Sequence, residues 1–281
     1  MVPGVGARLR TVADCQILDK TEVAPHVIRI VLANKVVAHN SRPGQFVNVR
    51  VADSLDPLLR RPFSVHDVNP DQGTFSLLFD VIGQGTALLA QKEVDDKISI
   101  VGPLGSWFEP GDSPDDLHVL VAGGCGVAPM HFLADALCSQ WDCGNVTVLV
   151  GAKSGSRLLC EHEFNEHGVG VGVSTDDGSY GYHGLVTELF QQHLNAIGPD
   201  NVVRVYSCGP MPMMRDIWRI SQAANISSCQ LSLETAMACG IGVCMGCVVK
   251  GCVSHDNACN EWNYKRVCTE GPVFDARELV W

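Results

Sequence analysis

The run Cys239-Gly-Ile-Gly-Val-Cys244-Met-Gly-Cys247 is followed later in the chain by a fourth cysteine, Cys268. The order C-x4-C-x2-C with one more distant cysteine is the plant-type spacing for a [2Fe–2S] cluster, in which four thiolates bind two irons. The glycines between the first three cysteines allow the loop to fold back and bring backbone N–H groups close to the sulfurs. The sequence therefore predicts a [2Fe–2S] cluster bound by Cys239, Cys244, Cys247 and Cys268.

Two other uses of these cysteines fit the pattern less well. A structural zinc site usually has two C-x2-C pairs, and this motif has only one. A disulfide framework is typical of small secreted chains. Residues 1–9 lack a charged segment followed by an apolar segment, so no signal peptide is expected.

Length and composition predict an ordinary globular protein. A chain of 281 residues, 46% hydrophobic and 18% charged, is long enough for two domains with full cores and a small appendage. Its net charge of −11 argues against a nucleic-acid surface or a polybasic membrane patch, and no apolar run reaches transmembrane length. Outside the motif, the remaining cysteines among the 13 are scattered, which fits buried thiols in a reducing cytoplasm.

Short β segments separated by Gly, Pro, Asn and Asp predict an antiparallel β-barrel domain over residues 1–113. Only one helical stretch, residues 85–91, is predicted within it. The predicted strands are Val27–Leu32, Phe46–Val51, Thr74–Ile82 and Lys97–Val101.

Alternating strands and helices predict a doubly wound parallel α/β domain over residues 114–230. The acidic, turn-rich run Glu109–Asp116 is the predicted linker. Residues 231–281 lose both periodicities and are predicted to form a small cluster domain. The apolar strand Leu117–Ala122 ends in a glycine-rich turn that opens a helical stretch, Val127–Ser139. Further buried strands are predicted at Val146–Gly151, Val169–Ser174 and Val202–Ser207.

Two motifs in the predicted barrel indicate a flavin site. Arg61-Pro-Phe63-Ser64 lies on a strand, where an arginine can clamp a diphosphate, an aromatic can cover a ring and a hydroxyl can bond a ring nitrogen. Gly85-Thr86 opens the helix, whose free N–H groups form an anion site. Either motif alone fits an ordinary strand or turn, but together they favour FAD.

Two turns in the predicted α/β domain indicate a nucleotide site. Gly123–Met130 follows the first parallel strand and precedes a helix, although it departs from the usual G-x-G-x-x-G. Cys208-Gly209-Pro210 ends the last predicted parallel strand, and by itself it fits a tight turn. Ligands of open α/β sheets bind at this carboxyl edge.

The order of these motifs resembles the ferredoxin–NADP reductase superfamily. The tail from Glu234 through the four cysteines to Phe274 further resembles the electron-transfer subunits of class 1B dihydroorotate dehydrogenases, over nearly the whole chain. This resemblance implies FAD, one [2Fe–2S] cluster and NAD as acceptor. It also implies an FMN-containing catalytic subunit that oxidises dihydroorotate to orotate in pyrimidine synthesis, in a heterotetramer with two copies of each subunit.

The same resemblance implies which residues line the cofactors. Phe63 is expected beside the flavin ring, and Ser64 near its reactive nitrogen. Cys208 is expected near the nicotinamide, either as a passive wall or in hydride alignment. The FAD residues are expected to be Arg61, Pro62, Phe63, Ser64, Leu78, Phe79, Asp80, Gly85 and Thr86. The NAD residues are expected to be Gly123, Gly124, Gly126, Cys208 and Gly209.

Three features depart from the family pattern. Relatives often carry a basic residue at the position of Asp80, whose acid would repel a diphosphate and is expected to turn away. Cys125 replaces a more usual Thr or Ile, and nothing in the sequence explains the change. The segment 250–265 is long and contains Cys252 and Cys259, but the Val-Cys-x-x-Gly-Pro context favours Cys268 as fourth ligand.

The predicted cofactors form an electron relay, since a cluster moves single electrons, NAD takes two, and a flavin converts between them. Asp176 and Asp177 would repel the 2′-phosphate of NADP and favour NAD, whereas Lys153 and Arg157 could attract it. The alternative is the small subunit of a NADH-dependent ferredoxin:NADP oxidoreductase or a sulfide dehydrogenase, in one of which an Asp replaces a cysteine ligand. A non-catalytic electron carrier is a third possibility, which the intact flavin and nucleotide motifs disfavour.

Overall fold

The N-terminal strands close into a six-stranded antiparallel barrel, as the sequence predicts. The computed structural model describes residues 10–253 and 261–281. The strand order around the barrel is β1-β2-β5-β4-β3-β6. The strands are β1 (Thr11–Ala24), β2 (Val27–Ala33), β3 (Phe46–Arg50), β4 (Arg61–Asn69), β5 (Thr74–Asp80) and β6 (Lys97–Leu104).

Two short helices accompany the barrel, so the expectation of a single helix is wrong. Helix α1 (Lys35–Asn40) was missed because its six residues are too few to show a helical period. It is capped by Asn34, whose side chain accepts a hydrogen bond from the Val37 N–H at 3.0 Å. Helix α2 (Gln84–Ala90) coincides with the predicted one, and its Leu89 is fully buried in the barrel core.

A seven-stranded sheet with helices α3 to α6 follows, in the strand order β10-β9-β8-β7-β11-β12-β15. All neighbouring pairs are parallel except β12–β15. The chain runs outward from β7 to β10 and then returns to place β11 on the other side of β7, which makes a topological switch point between them. The strands are β7 (Leu117–Gly123), β8 (Val146–Ala152), β9 (Gly170–Thr175), β10 (Tyr182–His183), β11 (Val203–Cys208) and β12 (Ser228–Ser232). The helices are α3 (Val127–Gln140), α4 (Glu161–Glu166), α5 (Val186–Ala196) and α6 (Met211–Ala223).

The C-terminal segment is built into this sheet rather than standing apart from it. Its hairpin, β13 (Val248–Cys252) and β14 (Trp262–Arg266), precedes a short strand, β15 (Val273–Asp275). Strand β15 pairs antiparallel with β12 and places Phe274 opposite Leu231. Sequence reasoning missed both strands, because β15 has only three residues and β12 carries two serines.

The cysteines outside the cluster motif are not all free thiols, so that expectation needs correction. Cys138 and Cys143 form a disulfide between the end of α3 and the following turn, and Cys252 is also disulfide-bonded. A disulfide-bonded thiol cannot bind iron, which removes Cys252 as a competing ligand. Cys259 lies outside the described residues. The cysteines outside the motif that are free thiols, as expected, are Cys15, Cys125, Cys160, Cys208 and Cys229.

The described part of the chain contains no helix of the length and apolarity needed to span a lipid bilayer.

We expect Phe274→Ala to destabilise the protein by about 3–5 kcal/mol, because it empties a buried aromatic site on the strand that joins the C-terminal segment to the sheet. The midpoint of thermal unfolding should fall by several degrees. Tyr264→Ala is the matched control, since Tyr264 is 57% exposed. Equal midpoints for the two variants would show that β15 does not hold this segment.

Candidate electron-transfer site

The loop that carries the first three motif cysteines wraps its backbone around two of the sulfurs. The N–H groups of Ile241 and Val243 donate to Cys239 Sγ at 3.5 and 3.3 Å. The Gly246 N–H donates to Cys244 Sγ at 3.4 Å. Burial opposes the charged form of Cys239, but these N–H groups and the Cys244 thiol lower its pKa to about 6. The loop is therefore shaped to hold thiolates, the form that binds iron.

The other two sulfurs lie deeper. Cys247 and Cys268 are each 2% exposed, and the Cys268 N–H donates to Cys247 Sγ at 3.4 Å. Burial and the neighbouring Cys247 thiol raise the pKa of Cys268 to about 12. The negative charge on Cys239 contributes to the same rise in the pKa of Cys268.

Side-chain interactions link Cys239 with Cys244 and Cys247 with Cys268, and the charge of Cys239 also acts on Cys268. Among the described residues, no three His, Cys, Asp or Glu side chains converge as they would around a single metal ion. A [2Fe–2S] cluster needs four thiolates spread over two irons, and the four cysteines of the motif supply that ligand set. The donor set is consistent with the predicted cluster.

The cluster loop lies directly on the outside of the barrel. Asn48 on β3 is fully buried and donates through Nδ2 to the Cys239 carbonyl at 3.3 Å. At Gly240, where φ is +70°, a Cβ would lie 2.6 Å from the same amide nitrogen, so only glycine fits. In the β3–β4 register Asn48 stands opposite Pro62, and directly opposed side chains share a face. The cluster loop therefore lies one strand away from the predicted flavin motif.

The arginine of that motif lies over the N-terminus of α2. A Cβ built on Gly85 would approach Arg61 Nε to 3.0 Å, so the absence of a side chain there makes room for the guanidinium. Thr86 Oγ1 accepts hydrogen bonds from the Ile82 and Gly83 N–H groups at 3.0 and 3.1 Å, which fixes the turn that precedes the helix. A guanidinium beside a helix N-terminus is suited to an anion such as a diphosphate.

The other residues of the predicted flavin site divide between two environments. Pro62 and Ser64 are half-buried on β4. Phe63 points instead into the barrel core, where its ring lies 5.4 Å from that of Phe79. Leu78 packs into the core of the α/β domain. The surface open to a flavin therefore consists of Pro62, Ser64 and Arg61, and the assignment of all these residues to FAD stays a prediction.

Asp80 is turned away from this surface, towards the α/β domain. Its carboxylate is paired with Arg157, which follows β8, and Arg157 also donates to the Pro25 carbonyl of the barrel. The acid that was expected to repel a diphosphate is thus neutralised by a cation from the second domain.

The two predicted nucleotide turns meet at the carboxyl ends of neighbouring strands β7 and β11. A Cβ on Gly126 would lie 2.2 Å from the Cys208 carbonyl oxygen, and one on Gly209 would lie 3.0 Å from the Gly123 nitrogen. Backbone packs on backbone here, which only glycine permits. Gly124, by contrast, has open space around it and φ of +56°. The two turns therefore bring their backbones into contact at the switch point, with the Met213 side chain packed against Gly123 and Gly209.

Glu234 is a candidate functional residue that sequence reasoning left without a role. Its Oε1 lies 4.0 Å from the sulfur of Cys208, which is fully buried at the end of β11. Glu234 keeps contact with solvent but is crowded by protein, and this partial desolvation raises the pKa of its carboxyl group. A carboxyl group beside a buried thiol at the switch point can hold or exchange a proton there. Only the tertiary contact with Cys208 distinguishes it from other acids.

A surface pocket lies at the carboxyl ends of β8 and β9. This open pocket has a volume of about 670 Å³. It contains two carboxylates and hydroxyl groups, and its polar character suits a ribose. It is lined by Ser154, Gly155, Ser156, Leu158, Glu161, Asp177, Ser179 and Tyr180.

Three family models match successive parts of the chain. An oxidoreductase FAD-binding domain matches residues 14–108, and an oxidoreductase NAD-binding domain matches residues 120–219. The iron–sulfur cluster binding domain of dihydroorotate dehydrogenase B matches residues 234–280. The chain therefore carries FAD-binding, NAD-binding and cluster-binding domains.

Relatives of known name match over nearly the full length. The electron transfer subunit of dihydroorotate dehydrogenase B (NAD(+)) from Desulforamulus reducens is 38% identical, over 96% of this chain and 98% of the relative. The subunit of the same name from Geobacillus thermodenitrificans is 36% identical, over 94% of this chain and 96% of the relative. This chain belongs to the family of dihydroorotate dehydrogenase B electron transfer subunits.

Solved structures of two oxidoreductases share the fold of this chain. The structure of a NADH-dependent reduced ferredoxin–NADP oxidoreductase aligns with a TM-score of 0.78 and 29% identity, over 96% of this chain and 90% of the other. A ferredoxin NADP+ reductase from Neisseria gonorrhoeae aligns with a TM-score of 0.63 and 20% identity, over 76% and 91%. The first of these structures belongs to the oxidoreductase named above as the alternative function. The relatives named for dihydroorotate dehydrogenase B are more similar in sequence, and they favour the dihydroorotate dehydrogenase interpretation.

We expect Cys247→Ser to abolish cluster binding, because it removes one of four thiolates at a buried position. Iron content and visible absorption of the anaerobically purified protein should fall to background, while flavin content stays unchanged. Cys229→Ser is the matched control, since this thiol is equally buried but belongs to β12. A full complement of iron in Cys247→Ser would contradict the assignment.

We expect Arg61→Ala to weaken FAD binding about tenfold to a hundredfold, the usual worth of a hydrogen bond to a charged group. Flavin remaining after extensive desalting measures the effect. Arg50→Ala, which removes an exposed arginine from the neighbouring strand, should retain FAD. Equal retention in both variants would count against a diphosphate clamp at Arg61.

Proposed function

We propose that this chain carries electrons between a partner subunit and NAD(+), with the partner an FMN-containing dehydrogenase that oxidises dihydroorotate to orotate in pyrimidine biosynthesis. The relatives are named electron transfer subunits, and a subunit that transfers electrons requires a catalytic partner. We further propose a heterotetramer with two copies of each subunit, acting in the cytoplasm. The domain boundaries that go with this proposal are 1–113, 114–230 and 231–281.

The contact between the cluster loop and the barrel carries the proposal. The hydrogen bond from Asn48 to the Cys239 carbonyl fixes the loop on β3, and Pro62 stands opposite Asn48 on β4. An iron–sulfur centre at the loop would therefore be held next to a flavin on Arg61 to Ser64. A charge can pass between two bound groups only when the protein keeps them close, and this contact supplies that closeness.

The residues of this chain would bind and orient the cofactors, which carry the redox chemistry. FAD, when bound, exchanges electrons singly with a cluster and in pairs with a nicotinamide. Arg61 and the N-terminus of α2 would hold the diphosphate, and the close-packed turns at Gly126 and Cys208 would let the nicotinamide approach the backbone at the switch point. Glu234 and Cys208 would supply a proton-holding group beside it.

The test uses the chain purified together with the TIM-barrel FMN dehydrogenase encoded beside it, if the neighbouring gene specifies one. We expect the complex to reduce NAD(+) with dihydroorotate, and the chain alone to reduce a dye with NADH. Both activities need FAD, but only the first needs the cluster, so Cys247→Ser should lose the first and keep most of the second. Loss of both together would contradict this separation.

Two outcomes would overturn the proposal. A chain with bound FAD that fails to reduce dye with NADH is not an NADH oxidoreductase, and the carrier reading would then hold. A complex that ignores dihydroorotate but couples NADH to ferredoxin and NADP, with a large flavin and iron–sulfur subunit encoded nearby, would support the alternative oxidoreductase.

A further inference from the structure

Arg157 sits at the rim of the pocket beyond β8 and β9 but does not contribute its charge to it. Its neighbours in sequence, Ser156 and Leu158, both line the pocket. The Arg157 guanidinium itself does not line the pocket and instead binds the Asp80 carboxylate and the Pro25 carbonyl, both on the barrel. Arg157, which the sequence suggested could attract the 2′-phosphate of NADP, is therefore bound to the barrel instead.

The pocket itself presents carboxylates. Asp177 is fully exposed, and hydrogen bonds from the Ser179 side chain and backbone, at 2.6 and 2.9 Å, lower its pKa. Glu161 accepts a hydrogen bond from the Tyr180 hydroxyl at 3.0 Å. Among the described residues that line the pocket, none is a Lys, Arg or His. A ribose hydroxyl can donate a hydrogen bond to these carboxylates, whereas the 2′-phosphate of NADP would be repelled by their two negative charges.

The position of Asp80, which binds Arg157, is fixed by the β-barrel. It is the last residue of β5, paired in register with Val27, and its side chain is only 27% exposed. Both side chains of this ion pair are partly buried, and a partly buried pair is screened by salt less than a fully exposed one.

We propose that Asp80 determines the choice of NADH over NADPH from outside the coenzyme pocket, by drawing Arg157 onto the barrel and leaving a pocket lined by Glu161 and Asp177. The inference rests on the proposed use of NAD and adds the residues that enforce it. Asp80 is a positioning residue, because it acts through Arg157 and not by touching the adenosine. The departure at position 80 and the acids after β9 thereby have one explanation.

The experiment compares the affinities of ADP and 2′,5′-ADP by calorimetry on the flavin-loaded protein. These two probes carry the adenosine half of NAD and NADP, and their binding needs no electron transfer. The wild type should prefer ADP. In Asp80→Asn, the released guanidinium should shift the preference about tenfold towards 2′,5′-ADP, the size of one partly screened ion pair. Asp80→Asn/Arg157→Gln should return to the wild-type preference, because the gain depends on Arg157.

Variants within the pocket test the acidic lining separately. Asp177→Asn and Glu161→Gln should each shift the preference several-fold towards 2′,5′-ADP, and the neighbouring exposed acid provides the matched control, Asp176→Asn, with a smaller shift. Arg157→Gln alone should leave 2′,5′-ADP affinity unchanged. Lys153→Gln should also leave it unchanged, since Lys153 does not line the pocket.

Several results would overturn the proposal. An unchanged preference in Asp80→Asn, or an equal shift in Asp80→Asn and the double variant, would show that Arg157 does not act in this way. Weaker 2′,5′-ADP binding in Arg157→Gln would show that this arginine already reaches the pocket, and this arm holds even if Asp80→Asn fails to fold. Failure of the proposed function looks different, because the wild type would then bind neither probe or would not oxidise NADH.

Discussion

The structure depends on how the C-terminal cysteine segment is attached to the rest of the chain. A cluster loop on a flexible tether would meet the flavin site at variable distances. Here the loop is fixed at one end by the hydrogen bond from Asn48 to the Cys239 carbonyl. At the other end, the backbone of Val273 exchanges two hydrogen bonds with Ser106 Oγ, at 2.9 and 3.1 Å, where the barrel leads into the linker.

The same attachment merges the hydrophobic cores of the three modules. One cluster of buried side chains contains Phe46 and Leu104 of the barrel, Leu231 of the parallel sheet, and Cys268 and Phe274 of the C-terminal segment. Apolar burial across such a boundary stabilises the relative placement of modules as well as each module itself. The segment of residues 231–281 is therefore distinct by motif but continuous with the sheet by packing.

Sequence reasoning succeeded where local pattern and local chemistry coincide. The glycine-rich turn after β7 occurs where predicted, because a short apolar strand followed by glycines has few other local structures. Phe63 shows the limit. A motif identifies which residue types are present, but the strand's alternation directs that ring into the barrel core and leaves Pro62 and Ser64 on the outside. The sequence could not assign a role to Glu234, because that role depends on its contact with Cys208, which is remote in sequence.

The sequence by itself determined the cofactor chemistry, since ligand type and spacing restrict what four cysteines can bind, and it determined the order of barrel, parallel sheet and cluster segment, since hydrophobic periodicity is local. Only the tertiary structure decided which charges act together. Asp80 and Arg157 are far apart in the chain and lie on different domains, and each is ambiguous alone. Their pairing follows from domain packing, which depends on surface shape and long-range contacts that no local pattern encodes.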